Sequence, residues 1–206
     1  RNTIDWGFIY WRPSHNMALP NIPLETLTPD PSLPTFPSVD SHLQLVGYVD
    51  AAHGNDLCQC RSTTGYCFQL SGGAIAYRSK TQNITATSST EAEFIAAVSS
   101  AKVAKYLRAI LCKLGFPQNT ATNLFEDNKS TIKMVNASRP TPRSRHIDIQ
   151  AFAIQDWKQA GDILLHHIPG IINPADCLTK PVAWILHYRH ARRLMGHYGP
   201  DFPLSP

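Results

Sequence analysis

TTGYCFQLSGGAIAYRSKTQNITATSSTEAEFIAA, residues 63–97, changes periodicity partway along, and that change decides the fold class. From Thr63 to Lys80 it reads as two strands joined through Ser71-Gly72-Gly73. Glycines at that place supply the backbone freedom a tight hairpin needs. From about Ser89 to Leu114 the period becomes helical. Phe94, Ala97, Val98, Ala101, Leu107, Ile110, Leu111 and Leu114 recur on one face, and Gly115 ends the run.

Working outward, LQLVGYVDAA (43–52) is a short apolar run suited to a buried strand, ending at Asp50. ATNLFED (121–127) is a further strand that ends in acid, followed by a short helix over Lys129–Asn136. The proline- and arginine-rich turn ASRPTPRSR (137–145) leads to a helix around Ile147–Ala160. GDILLHHIP (161–169) is a fifth strand. NPADCLTKP (173–181) and the residues after Pro181 suggest a last helix, frayed by Gly196 and Gly199. The order βββαβααβα predicts a mixed α/β sheet with helices on its faces.

The chain's 206 residues, 43% of them hydrophobic, suffice for one medium domain plus extensions. A net charge of +4 is compatible with a polyanionic partner without demanding one. No run of eighteen apolar residues occurs, so no membrane span is expected. RNTIDWGFIYWRP at the start is neither a signal peptide nor an initiating methionine, and reads as a cut from a longer chain. Residues 1–12 look like a strand-forming remnant of a preceding domain. Seven prolines between Pro13 and Pro37 make 13–42 a linker or wrapping segment, so the compact domain is expected over 43–206. The five cysteines do not form a disulfide framework and point to reduced thiols inside the cell. His53, Cys58, Cys60 and Cys67 could be drawn as a zinc site, but C-x-C is unlike the common structural spacings.

Four acids stand out by position: Asp50 and Asp127 at strand ends, a glutamate in the first turns of the long helix, and Asp176 opening the last helix. Taken singly, each reads as a turn or cap residue. If the first and fourth strands are neighbours, Asp50 and Asp127 lie side by side, where like charges are costly without a cation. Carboxylates with few histidine or thiol neighbours favour magnesium or manganese, and two such ions suit phosphodiester cleavage. The helix offers two glutamates. Ser88-Ser89-Thr90-Glu91 and Thr90-Glu91-Ala92-Glu93 both fit the capping-box template. Residues two apart on a helix point about 200° from each other, so only one can face the site. Spacing alone leaves the choice between Glu91 and Glu93 open.

GYVDAAHGND, RSTTGYCFQLSGGAIAYRSKTQNITATSSTEAEFIAA, LFEDNKSTIKM, SRHIDI and ADCLTKP, in that order, resemble the ribonuclease H domain of copia-type LTR retrotransposon polyproteins. The likeness covers about residues 45–181, and TIDWGFIYWRP resembles the end of the reverse transcriptase and connection region. The resemblance implies a ribonuclease H-like α/β fold: a five-stranded mixed sheet, an antiparallel meander plus parallel strands, flanked by helices. It implies an endonuclease that cuts the RNA strand of RNA–DNA hybrids with two Mg2+ ions, or Mn2+ in their place, leaving 5′-phosphate ends. Its partner would be the reverse transcriptase domain of the same polyprotein, its setting a cytoplasmic virus-like particle. The family's carboxylates match Asp50, Glu93, Asp127 and Asp176, which decides for Glu93 over Glu91. The polymerase's Tyr-x-Asp-Asp signature is absent from this chain.

Cellular and retroviral ribonucleases H usually carry a histidine in the loop before the fourth carboxylate, whereas GIINPA (170–175) has none, as is common in the copia pattern, so its absence does not predict inactivity. His166 and His167 lie upstream in a predicted strand, His167 being the candidate substitute, although packing or solvent is a strand histidine's ordinary place. Hybrid contacts are expected from Thr90, Asn128, Lys129, Lys133, Arg143 and Arg145, with Arg192 and Arg193 as further phosphate ligands. His146 and Asp148 match a family motif and are expected to serve the helix start. Two rivals share the fold. A catalytically silent domain of a decayed element conflicts with four intact acids, and an integrase-type transferase would place its glutamate last in chain order.

Overall fold

The structure, a computed structural model, describes residues 43–56, 58–136 and 145–196, with the backbone alone for 145–148. The expectations for residues 1–12 and 13–42, and Arg143, lie outside the described residues.

Five strands form one sheet: β1 (Val46–Ala52), β2 (Thr63–Leu70), β3 (Gly73–Thr81), β4 (Thr122–Glu126) and β5 (Ile163–His167), in the order β3-β2-β1-β4-β5. β1, β2 and β3 make an antiparallel meander, while β4 runs parallel to both β1 and β5. The hairpin between β2 and β3 closes through Ser71 and Gly72, at φ 51° and 82°. Both sit in the left-handed region, so the turn's twist matches that of the strands.

Helices cover both faces. α1 (Ser89–Lys113) lies across β1 and β2, joined by α2 (Lys129–Asn136) and α3 (Arg145–Gln159). Two 3-10 turns, η1 (Gly170–Ile172) and η2 (Pro174–Leu178), lie on the opposite face with α4 (Trp184–Leu194) packed on η2. Strand alternation sorts the residues of β1 between these layers. Leu45, Val49 and Ala51 pack with α1, while Val46 and Tyr48 pack with Phe125, Ile168, Ile172 and Ala175. Gly47 is required by crowding: a Cβ there would meet Leu124 Cδ2 at 2.5 Å and Phe68 Cε1 at 2.7 Å.

Two expected boundaries shift. β1 runs on to Ala52 because β2 keeps pairing with it through Ala52–Thr63, which leaves Asp50 two residues inside the strand. Asp176 does not open the last helix. It lies within η2, which Pro174 starts and Asn173 caps through its side-chain oxygen on the Ala175 amide, and α4 begins only at Trp184.

Candidate metal centre

The parallel ladder of β1 and β4 pairs Val46 with Asn123, Gly47 with Leu124 and Tyr48 with Phe125. Continued by two residues, that register sets Asp50 beside Asp127, the first residue beyond β4. α1 brings a third acid from above. Its N-cap is Ser88, whose Oγ accepts the Glu91 amide at 3.1 Å. The Glu91 carboxylate turns back to accept from the Thr87 amide at 2.7 Å and from the Thr87 hydroxyl at 2.5 Å. Glu91 is thereby consumed at the helix start, bonding the residue before the N-cap where a capping box would bond the N-cap amide. Two residues on, Glu93 points down to the sheet and is 7% exposed.

Asp50, Glu93 and Asp127 offer carboxylate oxygens that all lie within 4.8 Å of one another. Asp176, also buried, stands outside this trio, with Oδ1 2.5 Å from Lys180 Nζ. Asp50 is held from below: Thr179 Oγ1 donates to its Oδ2, and Asn173 Nδ2 donates to the Val49 carbonyl at 2.7 Å. Gly65 and Gly170 allow this close fit. A Cβ on Gly65 would meet Thr179 Cγ2 at 2.5 Å, and one on Gly170 would meet Asp127 Oδ2 at 2.6 Å.

A fourth acid in this layer escaped the sequence reading. Glu126 is fully buried, and its Oε1 accepts the Asn128 amide at 3.2 Å. Alternation along β4 turns Leu124 and Glu126 toward α1, so Glu126 and Glu93 face each other and the Glu126 charge raises the cost of ionising Glu93. Its signal in the sequence was an acid on the inward period of an apolar strand. Thr179 and Lys180, three and four residues past Asp176, were also missed.

Burial pushes the Asp50 carboxyl up to about 6, despite the Thr179 hydrogen bond. Burial, then the charges of Glu126, Asp50 and Asp127, raise Glu93 far above the usual carboxylate range. Burial and the neighbouring Asp127 raise Glu126 in the same direction, and burial raises Asp127 against the pull of Lys180. Glu93 Oε2 and Glu126 Oε2 are buried without a hydrogen-bond partner. Clustered, desolvated carboxylates with an orphaned oxygen are costly as they stand, and a cation among them offsets the cost. The donors are all oxygens, so the residues fit a hard divalent ion.

The expected hybrid-binding residues are dispersed in role. Lys129 and Lys133 are exposed on α2. Asn128 caps α2, its Oδ1 accepting the Ser130 and Thr131 amides at 2.9 and 3.2 Å. Thr90 is half-buried, and its carbonyl accepts from the Thr131 hydroxyl at 3.3 Å. Arg145 opens α3. Arg192 and Arg193 are buried instead of facing phosphate, because α4 turns them inward, where Arg193 donates to Tyr48 Oη at 2.6 Å. His166 bonds Asn123 Oδ1 at 3.0 Å, whereas the exposed His167 stands opposite Glu126 at the end of β5. A cavity of about 340 Å³ between β3 and α1, lined by Arg78, Lys80 and Gln82 among others, includes none of the four acids.

No protein-family model matches the chain. Over 138 residues, 67% of this chain and 10% of the relative, it is 38% identical to the retrovirus-related Pol polyprotein from transposon TNT 1-94 of Nicotiana tabacum. It spans about a tenth of the length of the plant transposon polyproteins it matches. Among solved structures, LC11-RNase H1 in complex with an RNA/DNA hybrid superposes with a TM-score of 0.50 at 14% identity, over 66% of this chain and 94% of that one. The foamy viral protease-reverse transcriptase in complex with an RNA/DNA hybrid also gives 0.50, at 16% identity, over 77% of this chain and 23% of that one.

Proposed function

Since this chain belongs to the retrovirus-related Pol polyproteins of transposons, as a segment with the ribonuclease H fold, we propose that it cleaves the RNA strand of RNA–DNA hybrids during reverse transcription. The observation that carries this reading is the convergence of Asp50, Glu93 and Asp127 within 4.8 Å at the carboxyl edge of parallel strands. Ligand sites of α/β sheets form at such an edge. Copia-type is the element class that the sequence motifs favour.

Asp50, Glu93 and Asp127 would hold the first ion and Asp176 would complete a second position, the ions being Mg2+ with Mn2+ as substitute. When bound, such a pair supplies an activated water and neutralises the leaving oxygen of a phosphodiester. Around it the chain's own residues do the positioning. Thr179 fixes the rotamer of Asp50 by its hydrogen bond. Gly170 leaves Asp127 just the room it needs. Glu126 backs Glu93 from the core side of the sheet, away from solvent. Lys129, Lys133 and Arg145 would contact phosphates, and Thr90 and Asn128 the sugar edge where a 2′-hydroxyl marks RNA. Hydrolysis breaks the bond from phosphorus to the 3′ oxygen and leaves 5′-phosphate and 3′-hydroxyl ends.

The test is Mg2+-dependent cleavage of a labelled RNA–DNA hybrid, with duplex DNA and duplex RNA as controls. Asp127→Asn is expected to lower the rate by about a thousandfold or more, since a metal-held reaction loses several kcal/mol of barrier reduction without its ligand. Full cleavage by Asp127→Asn would refute the assignment.

A further inference from the structure

The acidic edge carries a cation of its own. Lys180 Nζ lies 2.5 Å from Asp176 Oδ1, on the carboxylate that stands outside the trio. Its position is fixed at the root. Thr179, the residue before it, is hydrogen-bonded to Asp50 through its side chain, and its carbonyl accepts Asn55 Nδ2 at 3.0 Å. The Lys180 amide itself donates to the Asp176 carbonyl at 3.2 Å. From this anchor the ammonium interacts with Asp50, Asp176 and Asp127 together. The Lys180 side chain is 47% exposed against 8% for Asp176, so the lysine can swing out to water while the carboxylate stays.

We infer that Lys180 is a tethered cation on Asp176 that competes with a second divalent ion for this carboxylate. This rests on the assignment of Asp176 to a second metal position. An ammonium in contact with Oδ1 takes one lone pair and offsets the carboxylate's charge, so a metal binds the remaining oxygen more weakly while the pair persists. The lysine's flexible four-carbon stem makes its charge movable, unlike that of a bound ion. Among the described residues the trio has no such occupant at contact distance, so the first ion meets the Lys180 charge only at longer range. The two ions therefore bind with unequal affinities, and a phosphate of the hybrid would give the displaced ammonium a new partner. Arrival of the nucleic acid then favours entry of the second ion. Lys180 is thus a positioning residue that regulates occupancy.

The test titrates the 206-residue chain with Mn2+ in the absence of nucleic acid, counting free ion by electron paramagnetic resonance. The unsubstituted chain should bind one Mn2+ tightly and a second more weakly. Lys180→Gln should tighten the second ion by about tenfold, a factor kept small because the ion pair is half-exposed, and should tighten the first by less. Lys180→Arg, which keeps the charge, should retain weak second-ion binding. In an Asp176→Asn background, Lys180→Gln should have no effect. An unchanged or weakened second ion in Lys180→Gln, with the first intact, overturns the inference alone. If the first ion persists in Asp50→Asn/Asp127→Asn, the metal reading itself fails and this inference with it.

Discussion

Glu91 and Glu93 lie two residues apart on α1, in opposite circumstances. The first is at the solvent-facing cap, its Oε2 accepting from the Thr87 amide and hydroxyl. The second is buried among three other acids, with one oxygen unpartnered. One carboxylate stabilises the fold through its hydrogen bonds. The other destabilises it as it stands, a cost that the proposed ion would offset. A helix turn can therefore separate structural from chemical acid by geometry alone, because 100° per residue sends the two side chains to different sides.

The sharpest way to break this comparison is Glu93→Gln. Hybrid cleavage should fall by about a thousandfold. The metal-free protein should nonetheless become more stable, by about 1 to 3 kcal/mol in denaturant unfolding, because a repelled buried acid has been removed. A variant that loses both activity and stability would make Glu93 an ordinary packing residue.

A second prediction concerns pH. The folded Asp50 carboxyl titrates at about 6, above its ordinary value of 3.8, so the folded state binds the proton more tightly than the unfolded chain. Its stabilising contribution is complete below the unfolded value and is lost as pH rises toward about 6. Metal-free protein should therefore lose of order 2 to 3 kcal/mol between pH 4 and pH 6 from this group, with the buried Glu93 and Glu126 extending the loss upward. Saturating Mg2+ should flatten the profile, because bound metal favours the ionised acids. A metal-independent pH profile would disprove the coupling. The smallest effect belongs to Glu91→Gln, which should cost about 1 kcal/mol or less and leave cleavage unchanged. Loss of activity there would show that the two glutamates had been exchanged.

The sequence made the hairpin, α1 and the order of elements legible because each carries a periodic signal over many residues. Asp50 and Asp127 were legible as strand-end acids, and the pairing of β1 with β4 brings them together. What stayed hidden depended on short-range geometry without a period. Pro174 and the Asn173 cap shape a single 3-10 turn, which reads in sequence like the first turn of the next helix. Arg192 and Arg193 looked like surface cations, and only the packing of α4 on η2 turns them inward. Glu126 was masked by its neighbour: in ATNLFED the terminal acid drew attention from the one facing the core.

The hydrogen bond from Thr179 to Asp50 spans 129 residues of chain. Asp50 sits in the first strand of the sheet to be synthesised, and its clamp lies beyond the last strand. A domain folds as a unit, and η2 leaves the ribosome only after α1 and all five strands have been made. Until then the acidic edge lacks Thr179, Asp176 and Lys180 altogether. Completion of the site thus waits for the last part of the domain, and a chain truncated before Asn173 would carry the five strand segments without Asp176, Thr179 and Lys180.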